Sequence, residues 1–183
     1  MQNDFDRVFV LTGGPGSGKT TLIAALRRAG FATSVVAGRG IVRDQSSIGG
    51  TALPWSDRTL FAELMLSWEM RSYQNAVEQK GPVFFDRGVP ETLGYLRLSG
   101  LPVADHVSTA AKRFRYNPRV FIAPPWPDIF AQDEERKQTP DEAKCTYHAL
   151  AEIYTELGYE LVPLPLAPVE TRLRFVLADA GLN

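Results

Sequence analysis

A glycine-rich stretch at residues 13–20 leaves this chain few folds to adopt, and it reads Gly-Gly-Pro-Gly-Ser-Gly-Lys-Thr. An apolar run at residues 7–12 precedes it, and the residues that follow carry Leu22, Ile23 and Leu26 at helical spacing. The stretch matches the pattern G-x-x-x-x-G-K-[ST], in which a loop between a buried strand and a helix wraps its amides around phosphate oxygens. The pattern therefore predicts a phosphate-binding loop within an α/β domain.

Each residue type in this loop has a part in binding a nucleoside triphosphate. The glycines are expected to take positive φ angles and turn their N–H groups inward, and the following helix adds its positive end. Lys19 is expected to bring a cation to the β- and γ-phosphates, and the Thr20 hydroxyl can ligate Mg²⁺. We therefore predict that ATP and Mg²⁺ are bound by Gly13, Gly14, Pro15, Gly16, Ser17, Gly18, Lys19, Thr20 and Thr21.

Composition excludes several other kinds of partner. The chain has 20 basic and 21 acidic residues and a formal net charge of −1, which gives no electrostatic reason to bind nucleic acid or an anionic membrane. No apolar stretch approaches the roughly 20 residues that cross a bilayer. The one cysteine, Cys145, permits no internal disulfide. We expect a cytoplasmic protein without nucleic-acid or membrane partners.

Strand-like and helix-like segments alternate along the chain. After the strand at residues 7–12, buried-strand patterns recur at residues 31–36, 82–85, 119–123 and 159–164. Between them, helices are predicted at residues 20–29, 41–46, 56–80, 90–98, 103–114, 129–137 and 140–157, with a last one at 169–180. This alternation predicts an α/β three-layer sandwich with a five-stranded parallel sheet, in one domain over residues 1–183.

Asp86 directly follows the buried strand at residues 82–85, so it should lie at the carboxyl edge of the sheet, where ligands of parallel sheets gather. An acid at that place is expected to bind Mg²⁺ or to act on a substrate hydroxyl, and the alternative is that it caps the helix beginning near Pro90. Arg87 could bind a phosphate, or it could pair with a neighbouring carboxylate.

A charged segment at residues 133–137 follows the fourth strand. Phosphoryl transfer uses cations that close over the triphosphate and exclude water, and Arg136 and Lys137 could supply them. The alternative is a solvated helix in which Asp133 pairs with Arg136 or Lys137.

Residues 13–20, 84–88, 119–126 and 133–137 together resemble a bacterial family of P-loop predicted ATPases with an AAA-type label. That family is related to nucleoside and nucleotide kinases and to the ribosylnicotinamide kinase domain. The resemblance implies a sheet order of 2-3-1-4-5 and makes Asp86 the acid beside the loop. It also implies a lid at about residues 127–139 with Arg136 facing the phosphates, and an adenine site near residues 165–168.

The resemblance is incomplete on the side of the phosphate acceptor. Related proteins tend to carry Glu near the end of the second strand, where it acts as the base in deoxynucleoside kinases, and this chain has Val36 there. Arg39 and Arg87 are the candidates for contact with an acceptor. An acceptor pocket between the helices at residues 56–80 and 90–98 would be lined by Trp55, Arg58, Trp68 and Tyr95, unless these side chains belong to the core.

We therefore predict an ATP- and Mg²⁺-dependent phosphotransferase acting on a small molecule, with Lys19, Asp86 and Arg136 as its catalytic residues. Thr20 and Asp86 are the predicted metal ligands. Two alternatives stay open, an NTPase that needs no acceptor and a nucleotide-binding regulatory module with little turnover. A Ras-like GTPase is excluded because the chain has no Asn-Lys-x-Asp sequence.

Overall fold

A parallel sheet covered by helices on both faces is the architecture of the protein in a computed structural model, which describes residues 4–130 and 138–182. Within these residues the chain forms five strands and seven α-helices. Their bounds are β1 (Val8–Gly13), α1 (Lys19–Arg28), β2 (Ala32–Thr33), α2 (Ala37–Ile48), α3 (Arg58–Glu78), β3 (Val83–Asp86), α4 (Pro90–Leu98), α5 (Asp105–Arg113), β4 (Arg119–Ala123), α6 (Pro140–Glu156), β5 (Glu160–Pro163) and α7 (Val169–Asp179). The strand order is β2-β3-β1-β4-β5, as the resemblance implies.

The period-two pattern of the strands places the core on both faces of the sheet. Val8, Val10 and Phe85 face one side, where they pack against α3, α4, α5 and α6. Phe9 and Phe84 face the other side, where they pack against α1 and α7 and where their rings stack with centroids 5.2 Å apart. The central strands are therefore buried on both faces, which explains why their sequences are continuous apolar runs.

Two local predictions are wrong. The second strand covers only Ala32–Thr33 rather than residues 31–36, because only these residues pair with β3 at the edge of the sheet. The helix predicted at residues 41–46 is longer, since α2 already begins at Ala37 and runs to Ile48. The turn-like Ala-Gly-Arg-Gly sequence is thus the first turn of a helix.

Strand register brings the carboxyl ends of β1, β3 and β4 to one edge of the sheet. Leu11 in β1 is opposite both Asp86 in β3 and Phe121 in β4, and Gly13 is opposite Ala123. Asp86 therefore ends its strand beside the loop at residues 13–20. None of the helices in the described residues is long and apolar enough to span a membrane.

Candidate functional site

The loop after β1 has the backbone conformation that glycines permit. Gly13, Gly16 and Gly18 have φ angles of 124°, 74° and 76°, in the region that residues with a Cβ seldom adopt. Gly14 does not have a positive φ, contrary to the expectation from the sequence. A Cβ at this position would overlap the carbonyl oxygen of Ala143 in α6, so close packing is the reason for this glycine.

Lys19 lies under this loop and is only 6% exposed. Its Nζ donates hydrogen bonds to the carbonyl oxygens of Gly13 and Gly14, at 2.9 and 2.5 Å, and to the Ser17 hydroxyl at 3.1 Å. The Ser17 hydroxyl in turn donates to the Gly14 carbonyl at 2.8 Å. These bonds hold the ammonium group among the oxygen atoms of the loop.

The first turn of α1 presents hydroxyl groups to a cleft in front of the loop. Thr20 and Thr21 are exposed and line this cleft, as does Asp86, which is 3% exposed at the end of β3. A hydroxyl and a carboxylate are hard oxygen ligands, and Mg²⁺ bound with a nucleotide takes few protein ligands beside phosphate oxygens and water. Thr20 and Asp86 therefore fit such an ion.

Asp86 is oriented by the edge of the sheet rather than by the helix that follows. Its backbone N–H donates to the Ser34 hydroxyl at 3.1 Å, and the Ser34 N–H donates to the Phe84 carbonyl at 2.9 Å. The alternative role as a helix cap is wrong, because α4 begins after Val89 without any side-chain cap.

Arg87 adopts the left-handed conformation, with a φ of 75°, which is uncommon for a residue with a side chain and is concentrated at functional sites. Its guanidinium donates to Glu91 Oε2 at 2.7 Å. Burial lowers the pKa of Arg87, but the carboxylates of Glu91 and Asp86 outweigh burial, and the pKa is raised. The sequence left two roles open for Arg87, phosphate binding and pairing with a carboxylate. In the structure Arg87 pairs with the carboxylate of Glu91.

Glu91 is a buried residue of this site that the sequence prediction missed. It is 4% exposed, it accepts a hydrogen bond from the Thr12 hydroxyl through Oε1, and the Tyr154 hydroxyl lies 3.4 Å from the same atom. The available signal was an acid four residues after Arg87, close enough in sequence for the ion pair that forms, although Arg87 itself lies before α4. Glu91 therefore joins β1, α4 and α6 behind the loop.

Glu69 in α3 is a second buried acid that the prediction missed. It is 2% exposed, and its Oε2 atom has no hydrogen-bond partner in the part of the chain that the structure describes. Burial, together with the negative charges of Glu91 and Asp86, raises its pKa to about 8, although the positive charge of Arg87 offsets part of the rise. The carboxyl group of Glu69 is therefore mostly protonated at neutral pH.

The cleft has a volume of about 1400 Å³ and extends to both sides of the loop. One side, which we call the α7 side, is lined by Trp126, Ala167, Pro168, Val169 and Arg172. Arg172 donates to the Ser17 carbonyl at 3.1 Å, and its guanidinium carbon lies 5.7 Å from the centre of the Trp126 ring. Burial lowers the pKa of Arg172. The segment expected near an adenine thus lies beside the loop.

The other side of the cleft, the α2–α4 pocket, is enclosed by α2, the loop before α3, the start of α3, and α4. It is lined by Val36, Arg39, Arg43, Trp55, Arg58, Phe61 and Tyr95. Three of the four side chains predicted for an acceptor pocket therefore line it. For Trp68 the alternative of a core position holds, because its ring packs against Gly40 of α2 and the core there.

Two predicted features can be placed only in part. Arg136, with most of the proposed lid, lies outside the described residues. Val36 forms the N-cap of α2 and lines the cleft, so no acid stands there. The described carboxylates that do line the cleft are those of Asp86, Glu91 and Glu142.

Comparison with known families gives one match, to a model described as an AAA domain, over residues 8–172. No curated protein is significantly similar to the chain in sequence.

Solved structures share the fold. A NadR protein in complex with NR superposes with a TM-score of 0.74 at 19% identity, covering 98% of this chain and 52% of the NadR chain. The chain thus spans about half the length of that protein. Deoxyadenosine kinase from M. mycoides, with the products dCMP and dCDP, has a TM-score of 0.68 at 12% identity, with 95% and 98% covered. Shikimate kinase from Aquifex aeolicus has a TM-score of 0.51 at 16% identity, with 95% and 96% covered. These likenesses establish a kinase-like P-loop fold.

Proposed function

The chain belongs to the AAA domain family, and from this premise we propose that it is an ATP- and Mg²⁺-dependent phosphotransferase acting on a small-molecule acceptor. The observation that carries the proposal is the single cleft of about 1400 Å³ that joins the phosphate loop to the α2–α4 pocket. A drug-sized ligand occupies roughly 300–1,000 Å³, so a nucleotide and a second small molecule both have room. An acceptor-independent NTPase or a regulatory module has no need of the second pocket.

The donor side of the cleft supports binding of a triphosphate. The amides of the loop and the Nζ of Lys19 would hold the β- and γ-phosphates, which replace the loop oxygens that Lys19 now contacts. Thr20 and Asp86 would hold Mg²⁺, whose charge neutralises the phosphate oxygens as the bond to the γ-phosphate breaks. The α7 side would take the base, with Trp126 and Arg172 offering flat surfaces for stacking.

The carboxylates near the loop divide into two roles. Glu91 is already held by Thr12 and Arg87, so its role is to position Arg87 and the end of β1. Asp86 lines the cleft and is left to orient Mg²⁺-bound water or to accept the proton of an acceptor hydroxyl. In the proposed transfer step, the acceptor hydroxyl would give up its proton and its oxygen would bond to the γ-phosphorus. The bond from the γ-phosphorus to the bridging oxygen would break, and ADP would leave.

An acceptor screen tests the proposal. The full chain is incubated with ATP and Mg²⁺, and ADP release is compared with and without nucleosides, nucleotides and vitamin-like alcohols. We expect at least one acceptor to raise ADP release above the acceptor-free rate and to appear as a phosphorylated product by mass spectrometry. A constant rate without any product would instead identify an NTPase, and ATP binding without turnover would identify a regulatory module.

A further inference from the structure

The charge of the cleft differs in sign from the charge of the chain. The whole chain has a formal net charge of −1. Among the described residues that line the cleft, three are acidic and six are basic, namely Lys19, Arg39, Arg43, Arg58, Arg87 and Arg172. Two of the acids, Asp86 and Glu91, lie behind or beside the phosphate loop. The α2–α4 pocket contributes three arginines and, within the described residues, no acid.

The arginines of this pocket come from two elements that face each other. Arg39 and Arg43 project from α2, and Arg58 begins α3, where its Nε donates to the Pro54 carbonyl at 3.0 Å. Arg43 contacts the exposed Asp44 at 3.4 Å, a surface pair that costs little to separate. A pocket that gathers guanidinium groups from two helices favours a phosphate or carboxylate, for which arginine has the matching geometry.

Aromatic side chains also line this pocket. Trp55 precedes α3 and is 69% exposed, although large apolar side chains are more often buried. Phe61 and Tyr95 lie deeper, with their rings edge to face at 5.3 Å between centroids. Arg58 lies near enough to Tyr95 for its charge to offset part of the rise that burial causes in the Tyr95 pKa. The cations and the rings thus belong to one pocket, which a flat ring could enter.

We propose that the α2–α4 pocket binds an acceptor that combines a planar ring with a negatively charged group, either a phosphate monoester or a carboxylate. The ring would contact Trp55, and the anionic group would pair with Arg58 and Arg39. This inference rests on the proposed phosphotransferase function. It separates the chain from a kinase of neutral nucleosides, whose pocket has no need of three arginines.

Calorimetry with matched ligands tests the inference. The binding of AMP-PNP with Mg²⁺ is measured first, and uridine, uridine 5′-monophosphate, orotidine, adenosine, adenosine 5′-monophosphate and ribose 5-phosphate are then titrated into the loaded protein. We expect an anionic ring compound to bind about tenfold or more tightly than its neutral nucleoside. The monophosphates test the phosphate form of the anion, and orotidine tests the carboxylate.

Variants of the pocket residues test which side chains contact the ligand. Arg58→Gln should weaken the binding of the anionic ligand about tenfold while changing that of uridine little. Arg71→Gln removes the same charge from an exposed position of the same helix and should change neither. Trp55→Ala should weaken all ring compounds about tenfold and leave ribose 5-phosphate unaffected, whereas Trp55→Phe should retain most of the affinity. If Arg58→Gln also lowers the melting temperature, Arg39→Gln provides the same test.

The possible failures are distinguishable. If AMP-PNP does not bind, the proposed function fails, and the pocket is then titrated without it. If AMP-PNP binds but neutral nucleosides bind as tightly as their anionic partners, or no anionic ring compound binds at all, the inference about the acceptor is wrong. Equal losses of affinity in the Arg58→Gln and Arg71→Gln variants would also overturn it.

Discussion

Lys19 has its positive charge satisfied by oxygen atoms of its own loop, so a triphosphate must offer it better partners than two carbonyls and a hydroxyl. Phosphate oxygens do so because their hydrogen bonds to an ammonium are charge-assisted. The buried position of the side chain, 6% exposed, means that water cannot replace the lost contacts cheaply. The contribution of Lys19 to nucleotide affinity should therefore be large.

Replacing Lys19 by Ala should lower the affinity for AMP-PNP with Mg²⁺ about a hundredfold, because it removes the cation proposed to contact the β- and γ-phosphates. Calorimetry measures the loss. Lys112→Ala, at an exposed position of α5 away from the cleft, is the control and should bind as the unmodified chain does. Undiminished binding by Lys19→Ala would mean that the loop is not the nucleotide site.

Replacing glycine by alanine should have opposite effects on stability at Gly14 and at Gly38. At Gly14 a Cβ would overlap the backbone of Ala143, which cannot move without shifting α6, so Gly14→Ala should destabilise the protein by about 1–3 kcal/mol. At Gly38, within α2, the nearest atom would be a Phe61 carbon at 3.7 Å, and Gly38→Ala should stabilise by about 0.5–1 kcal/mol. Denaturant unfolding measures both, and equal effects would contradict the packing argument.

The residues of the loop were predictable because one short pattern places all of them. The reason for Gly14 was not, since it depends on a carbonyl group that lies more than a hundred residues further along the chain. Trp68 shows the same limit, because its helical spacing fits a pocket wall and a core position equally well. Only the packing of α2 against α3 decides between the two.

At the scale of elements, α3 and α4 each place one acid behind the phosphate loop. Glu91 lies in the first turn of α4, and Glu69 follows Met65 by one helical turn on the buried face of α3. The spacing of apolar residues in the sequence identifies the buried face of α3. Because buried helix faces are mostly apolar, the sequence alone does not indicate that Glu69 is buried there. The charges that shift the pKa of Glu69 belong to Glu91 in α4, Asp86 in β3 and Arg87 after it, so only the tertiary structure brings them together.

Glu69 should make stability depend on pH. Its pKa is about 8 in the folded protein and near 4.5 in the unfolded chain, so the folded state binds one more proton between these values. The free energy of unfolding therefore falls as pH rises through this window, by up to about 1.4 kcal/mol per pH unit. Glu69→Gln keeps the side chain neutral and removes this dependence, so its stability relative to the unmodified chain should increase from about pH 5 to pH 8.

Denaturant unfolding across that pH range provides the measurement. Glu78→Gln removes a carboxyl from an exposed position of the same helix and is the control, for which we expect no comparable trend. A difference between Glu69→Gln and the unmodified chain that stays constant with pH would contradict the buried, neutral carboxyl.

At the scale of the whole molecule, the layered fold was predictable because the alternation of strand and helix patterns admits few arrangements. The order of the strands came from the resemblance, and the sheet confirms it. Element boundaries were less predictable at the edge, where β2 pairs with one neighbour only and shrinks to two residues. The α2–α4 pocket could be expected only in outline, because α2 itself was predicted too short.

The contact between Gly14 and Ala143 connects the phosphate loop to α6, and through α6 to β5 and α4. A nucleotide that orders the loop should therefore slow local opening of α6 as well as of α1. A ligand at a hundred times its Kd adds about 2.7 kcal/mol to the stability of the folded state. For a chain of this size that raises the melting temperature by about 5–10 °C.

Hydrogen exchange with and without AMP-PNP and Mg²⁺ tests this connection. We expect slower exchange in the loop, in the first turn of α1 and in the first half of α6. In α5, which has no residue in the cleft, exchange should slow only as much as the overall gain in stability requires. Lys19→Ala should strongly reduce the difference at the same nucleotide concentration, since it lowers the affinity about a hundredfold. Gly14→Ala should retain part of the protection at α1 and lose it at α6, because α6 must move away from the loop to accommodate the added methyl group. Slower exchange confined to the loop in the unmodified chain would mean that α6 does not respond to the nucleotide.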